Sequence, residues 1–88
     1  MTREPPRDSE TIALAALAAT LSDERRAARF LALTGLSPDG IRQGIEDRSL
    51  LAACLDFLEA HEPDLVAVAE AIDIAPAALV AVRWELEA

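Results

Sequence analysis

Lysine, asparagine and tyrosine are absent from this 88-residue sequence, and cysteine, histidine and tryptophan occur once each. A single cysteine excludes an internal disulfide, which fits a reducing cytoplasm. Aromatic residues make up only 3% of the chain, so its core must be built from aliphatic side chains and alanine. The three missing residue types have AT-rich codons, and their absence indicates a GC-rich bacterial genome.

Positive charge is also scarce, because 8 arginines stand against 16 acidic residues and give a net charge of −8. Affinity for nucleic acids and for anionic membranes rests on cations, so this balance argues against both partners. No stretch approaches the roughly 20 apolar residues of a membrane span, and MTREPPRDSE lacks an apolar signal region. We therefore expect a cytoplasmic protein that binds neither nucleic acid nor membrane.

Helix-forming residues dominate what is present. Alanine and leucine are among the best helix formers, while the chain has only 3 glycines and 5 prolines. The pattern predicts an all-α fold, a compact bundle of five to six short helices that forms a single domain over residues 9–88. Residues 1–8 are charged and contain two adjacent prolines, which predicts a disordered N-terminal arm.

Capping residues and apolar spacing place the helices. The expected starts are at or near Ser9, Ser22, Ser37, Asp47, Pro63 and Pro76. The first helix, about residues 9–21, carries this apolar face: Ile12, Leu14, Leu17, Ala18 and Leu21. We expect Gly35 to end the second helix in a Schellman-type motif, with Leu36 supplying its hydrophobic contact. The fourth helix has the clearest buried stripe: Leu50, Leu51, Cys54, Leu55, Phe57 and Leu58.

The last two helices, within VAEAIDIAPAALVAVRWE (68–85), have the rhythm of a DNA-reading helix-turn-helix. Such a motif usually has a glycine at positive φ in its turn and basic side chains on its second helix. Here Asp73 occupies the turn, and Arg83 is opposed by Glu85 and Glu87. We favour two packed helices, with a divergent helix-turn-helix DNA-binding or transcription-associated domain as the alternative.

No group of residues has the composition and spacing of a catalytic or metal site. Cys54 lies on an apolar helix face without a neighbouring base, which favours a core residue over a nucleophile. The acidic residues around His61 do not have the ligand spacing of a zinc or calcium site. These residues are Asp56, Glu59, Glu62 and Asp64. We expect no enzyme activity, no metal and no cofactor.

The last helix is the first candidate interface. Two apolar stripes run along it, one of Leu79, Val82 and Leu86, the other of Ala77, Val80, Ala81 and Trp84. The terminal helix of a small bundle seldom buries both, so one stripe faces a partner or a second copy of the chain, unless Trp84 folds back over the bundle edge.

A cluster of arginines in SDERRAARF is the second candidate interface. It is either a dock for carboxylate or phosphate groups or a solvated helix face. The candidate interface residues are therefore Val80, Arg83, Trp84, Arg25, Arg26 and Arg29. We predict a non-enzymatic protein–protein interaction or adaptor module that binds a protein partner or forms a homodimer through the last helix.

Two segments of the chain resemble a known family. FLALTGLSPDGIR (30–42) and LLAACLDFLEAHEPDLVAVAEA (50–71) are similar to a small bacterial family catalogued as domain of unknown function 3572. The similarity covers nearly all of residues 9–86, and RFLALTGLSPD and LDFLEAHEPDL are its most specific parts. The resemblance implies a compact helical domain without an established activity, and it supplies no catalytic residues.

Overall fold

The computed structural model describes residues 9–88; the predicted N-terminal arm, residues 1–8, lies outside the described residues. The described chain forms six helices and no strand, which confirms the all-α prediction. The helices are α1 (Ser9–Leu21), α2 (Glu24–Thr34), α3 (Pro38–Gln43), α4 (Arg48–Glu59), α5 (Glu62–Ala71) and α6 (Pro76–Glu87).

Three helices, α1, α4 and α6, pack against one another at the centre, and α5 packs against all three. The predicted stripe of α4 is buried along its whole length. The Phe57 ring of α4 meets Phe30 of α2 edge-on, with 5.3 Å between the ring centroids, which ties α2 to the central helices. In contrast, α3 contributes only Ile41 to the core.

The buried face of α1 differs from the prediction. Ala13, Ala16 and Thr20 are fully buried together with Leu17, whereas Leu14 is 40% exposed. The distance between packed helices depends on the side chains at their contact, and the alanine face lets α1 approach α4 and α6 closely. Leu14 is therefore turned toward the margin of the bundle, and Leu21 is only partly buried.

The N-termini of two helices, α2 and α5, lie one residue away from the expected positions. The N-cap of α2 is Asp23 rather than Ser22, and its Oδ1 accepts a 2.9 Å hydrogen bond from the Arg26 amide. This bond holds the pKa of Asp23 below its ordinary value. The Ser22 hydroxyl instead donates to a carbonyl in the last turn of α1. Likewise, α5 begins one residue before Pro63.

The Schellman motif expected after α2 occurs after α5 instead. Gly35 has a φ of 73° and makes the single backbone bond of the simpler αL motif. After α5, the residue in the left-handed region is Asp73, with a φ of 62°. The amides of Asp73 and Ile74 donate to the carbonyls of Glu70 and Ala69 at 3.2 and 3.0 Å, the two bonds that define the Schellman motif.

Two neighbouring helices of residues 9–88 together have the length and composition of a membrane span. No single helix there combines the required length with sufficient apolarity, whereas α5 and α6 taken together reach it by length and composition alone. These two helices are bent by 97° at the break between them.

Cys54 sits in the centre of the core, as its position on the α4 stripe predicts. It is fully buried, and its Sγ lies 3.5 Å from the Thr20 hydroxyl of α1. Burial raises the pKa of the Cys54 thiol from 9.0 to about 11, while the contact with Thr20 acts in the opposite direction. The thiol is therefore protonated in the folded chain at neutral pH.

Substitutions at Asp73 test the strain of the left-handed turn. Asp73→Ala is expected to lower the free energy of unfolding by about 1 kcal/mol, because a β-carbon without a short polar side chain is disfavoured there. Asp73→Gly should be at least as stable as the wild type, since glycine accepts positive φ. Urea denaturation gives the order, with the exposed Glu70→Ala as control. Equal stability of the alanine and glycine variants would contradict this account.

We expect the folded chain to lose stability at alkaline pH because the Cys54 thiol is buried. The pKa of the thiol is higher in the folded chain than in the unfolded chain, so the protonated thiol contributes its full share to the free energy of unfolding below about pH 9. That share is lost as the pH rises toward about 11. The free energy of unfolding should fall by up to about 1.4 kcal/mol per pH unit in this range. Urea denaturation over this range measures it, and Cys54→Ala, although less stable throughout, should lack this slope. An identical alkaline slope in Cys54→Ala would refute the prediction.

Candidate functional site

The last helix buries one apolar stripe and exposes the other. The buried stripe is Leu79, Val82 and Leu86. At 100° per residue, the second stripe lies on the opposite side of the helix. We call it the outer stripe, and it consists of Ala77, Val80, Ala81 and Trp84. Val80 is half-buried and the other three are exposed, with Trp84 at 67%, so the indole does not fold back over the bundle edge.

Arg83, next to the outer stripe, is held by carboxylates of two helices. Its Nε and Nη2 donate to the two carboxylate oxygens of Glu59 in α4, and its Nη1 donates to Glu87 at 2.9 Å. Asp56 adds a carboxylate oxygen 3.5 Å from Nε. The hydrogen bonds to Glu59 contribute most to raising the pKa of Arg83 above its ordinary value. Arg83 is therefore a tie between α6 and α4, and its side chain is only 18% exposed.

The same arginine positions the tryptophan. The Cζ atom of Arg83 lies 5.7 Å from the centroid of the Trp84 ring, within the range of a cation–π interaction. Because Glu59 and Glu87 fix the guanidinium, it supports the indole while most of the ring stays accessible to solvent. A side chain that is already positioned loses less conformational freedom when a partner covers it.

The acidic residues of α4 contact an arginine of α6. The structure brings both Asp56, which stays 64% exposed, and Glu59, which is 23% exposed, to Arg83. Sequence reasoning missed this contact because the arginine lies 24 positions beyond Glu59, on another helix. Within residues 9–88 no group of three or more His, Cys, Asp or Glu side chains is arranged to hold a metal ion.

The three arginines of α2 do not form one docking surface. Arg29 bonds Asp64 of α5 at 2.7 Å, and its guanidinium lies 5.6 Å from the centroid of the Phe57 ring. Arg26 donates to a carbonyl of α1 at 3.1 Å. Arg25 is exposed and makes no ion pair with the residues that the structure describes. One arginine of the three is thus available to a partner.

The α5–α6 pair has part of the geometry of a helix-turn-helix. Its 97° bend falls within the range of about 90–120° for that motif. The turn has no glycine, as the sequence shows, yet Asp73 adopts the left-handed conformation that glycine usually supplies there. The charge pattern is unlike that of a reading helix, since the only arginine of α6 is engaged by Glu59 and Glu87.

Comparison with known proteins gives one match. The family model described as "Protein of unknown function (DUF3572)" matches residues 6–88, a range that contains the outer stripe and all six helices. Neither the curated proteins nor the solved structures provide a match. The chain therefore belongs to the DUF3572 family of proteins of unknown function, as the resemblance of its segments 30–42 and 50–71 indicated.

Proposed function

We propose that this chain is a non-enzymatic interaction module whose protein partner binds the outer stripe of α6, with Trp84 as the anchor. The observation that carries the proposal is the state of Trp84, which is 67% exposed yet supported by a guanidinium that two carboxylates hold in place. Tryptophan is among the side chains that dominate binding energy at protein interfaces.

The surroundings of the outer stripe indicate the chemistry of the partner. At 100° per residue, Glu85 and Glu87 lie on opposite flanks of the stripe. Asp56 adds an exposed carboxylate beside Arg83, with a side chain 64% exposed. The partner surface should therefore be apolar at its centre and carry cationic groups at its rim.

The proposal includes no catalytic step, metal or cofactor, and it places the module in the cytoplasm. Two observations support it: the single thiol is buried and protonated at neutral pH, and the net charge of −8 disfavours phosphate surfaces.

The candidate interface residues have different roles in this proposal. Trp84 and Val80 form the contact, Arg83 positions Trp84, and Arg25 offers a separate charged contact, whereas Arg26 and Arg29 hold α2 against the bundle.

Capture from a lysate of the source organism tests the role of Trp84. The wild-type chain should retain a partner that Trp84→Ala loses, and Leu33→Ala should retain it because Leu33, 75% exposed, lies on another helix. Trp84→Ala should change the free energy of unfolding by about 0.5 kcal/mol or less, as expected for an exposed side chain. Recovery of the same proteins by all three chains would overturn the proposal.

A second candidate function is a divergent DNA-binding or transcription-associated domain, which the 97° bend and the left-handed Asp73 favour. It is separated from the first by titrating the chain into a labelled random duplex at low salt. We expect no binding, because α6 has no unengaged cation to neutralise phosphates. Binding that weakens steeply with added salt would favour this second candidate instead.

A further inference from the structure

A second apolar surface lies between α1, α2 and α3. It consists of two adjoining depressions with volumes of about 320 and about 310 Å³. Leu21, Ile41 and Arg42 line both depressions, so the two join into one groove. We call it the α1–α3 groove.

This groove accounts for the exposure of Leu14 and the partial burial of Leu21. The apolar face predicted for α1 lines the groove with Leu14, Leu17, Ala18 and Leu21. The opposite wall is thin, because α3 has six residues and buries only Ile41. Helix α1 is apolar around most of its circumference, and it thus turns part of its apolar surface toward a space that no other helix of residues 9–88 fills.

The chain also carries a helix face of the kind that fits such a groove. Helix-in-groove recognition uses apolar anchors at positions i, i+3, i+4 and i+7. The outer stripe of α6 has this spacing, with Ala77, Val80, Ala81 and Trp84. We propose that the outer stripe of one copy of the chain docks in the α1–α3 groove of a second copy. This proposal rests on the proposed function, and it names the partner of the outer stripe.

Charge complementarity favours a second copy as the occupant. Arg42 is the only charged residue that lines the groove. It pairs with Asp39 of its own helix at 2.7 Å, and both side chains are more than three-quarters exposed, so the pair contributes little and can exchange. The outer stripe is flanked on one side by Glu87, which already pairs with Arg83, and on the other by the exposed Glu85, whose carboxylate accepts from the Ser9 hydroxyl. A helix docked in the groove can therefore bring the exposed Glu85 carboxylate toward Arg42, the single cation of the groove.

The two surfaces of this contact are different, so the association is head-to-tail. Each added copy leaves one free groove and one free outer stripe, so the assembly closes into a ring where the rotation between copies allows it and otherwise continues as an open filament. In a symmetric dimer through α6, the outer stripes of the two copies would contact each other and the groove would take no part. Variants of the two surfaces therefore distinguish these arrangements.

The test uses the full chain and four variants in sedimentation velocity over a range of concentrations. Trp84→Ala removes the anchor, and Ala18→Glu places a charge at an exposed position in the groove. Ala32→Glu is the matched control, exposed on α2 and outside the groove. The wild type and Ala32→Glu should self-associate, and Trp84→Ala and Ala18→Glu should self-associate at least tenfold more weakly. Arg42→Glu, a change at an exposed side chain, should weaken self-association by about fivefold without disturbing the fold.

An equimolar mixture gives the decisive result. Trp84→Ala keeps an intact groove and Ala18→Glu keeps an intact outer stripe, so together they should form a one-to-one complex and nothing larger. A monomeric wild type, a failure of the mixture to associate, or unchanged association of Arg42→Glu would overturn the head-to-tail contact. The proposed function survives those results if, in the capture from lysate, the wild-type chain retains a protein other than itself that Trp84→Ala does not retain. The two experiments therefore distinguish the two proposals.

Discussion

The bundle contains more apolar helix surface than its six short helices can cover, and this constraint shapes the rest of the molecule. Helix α4 is buried on several sides, so α1, α5 and α6 must all pack against it. The close approach of α1 uses its alanine face and leaves Leu14 at the margin. Helix α6 meets the core with one stripe and leaves the other, with Trp84, in solvent. Both unpaired surfaces arise from this single packing arrangement.

Electrostatic contacts fix the orientation of the exposed helix. Arg83 joins α6 to Glu59 of α4 and stacks near Trp84, so one side chain sets the position of the helix and of its most exposed aromatic residue. Such a partly buried ion pair is costly to break on one side, because the remaining charge would lose its partner. The acidic residues thus fix local geometry, and the exposed carboxylates of Asp56 and Glu85 lie beside the outer stripe.

Local signals in the sequence predicted most of the secondary structure and part of the candidate site. Ser37, Asp47 and Pro76 mark helix starts because capping depends on neighbouring residues only. The contact of Glu59 with Arg83 escaped prediction, since helical periodicity carries no information on which helices become neighbours. The left-handed Asp73 was also missed, because aspartate adopts that conformation only where the surrounding chain requires it.

The amino-acid sequence by itself determined the all-α class, the helix spans to within a residue or two, and the existence of two apolar stripes on α6, because each depends on local spacing and propensity. Only the tertiary structure decided which stripe is buried and which face of α1 turns inward. Those choices depend on how closely whole helices approach one another, and small side chains at the contact set that distance. The exposure of Trp84 and the groove beside Leu14 are therefore properties of the packed bundle rather than of any single helix.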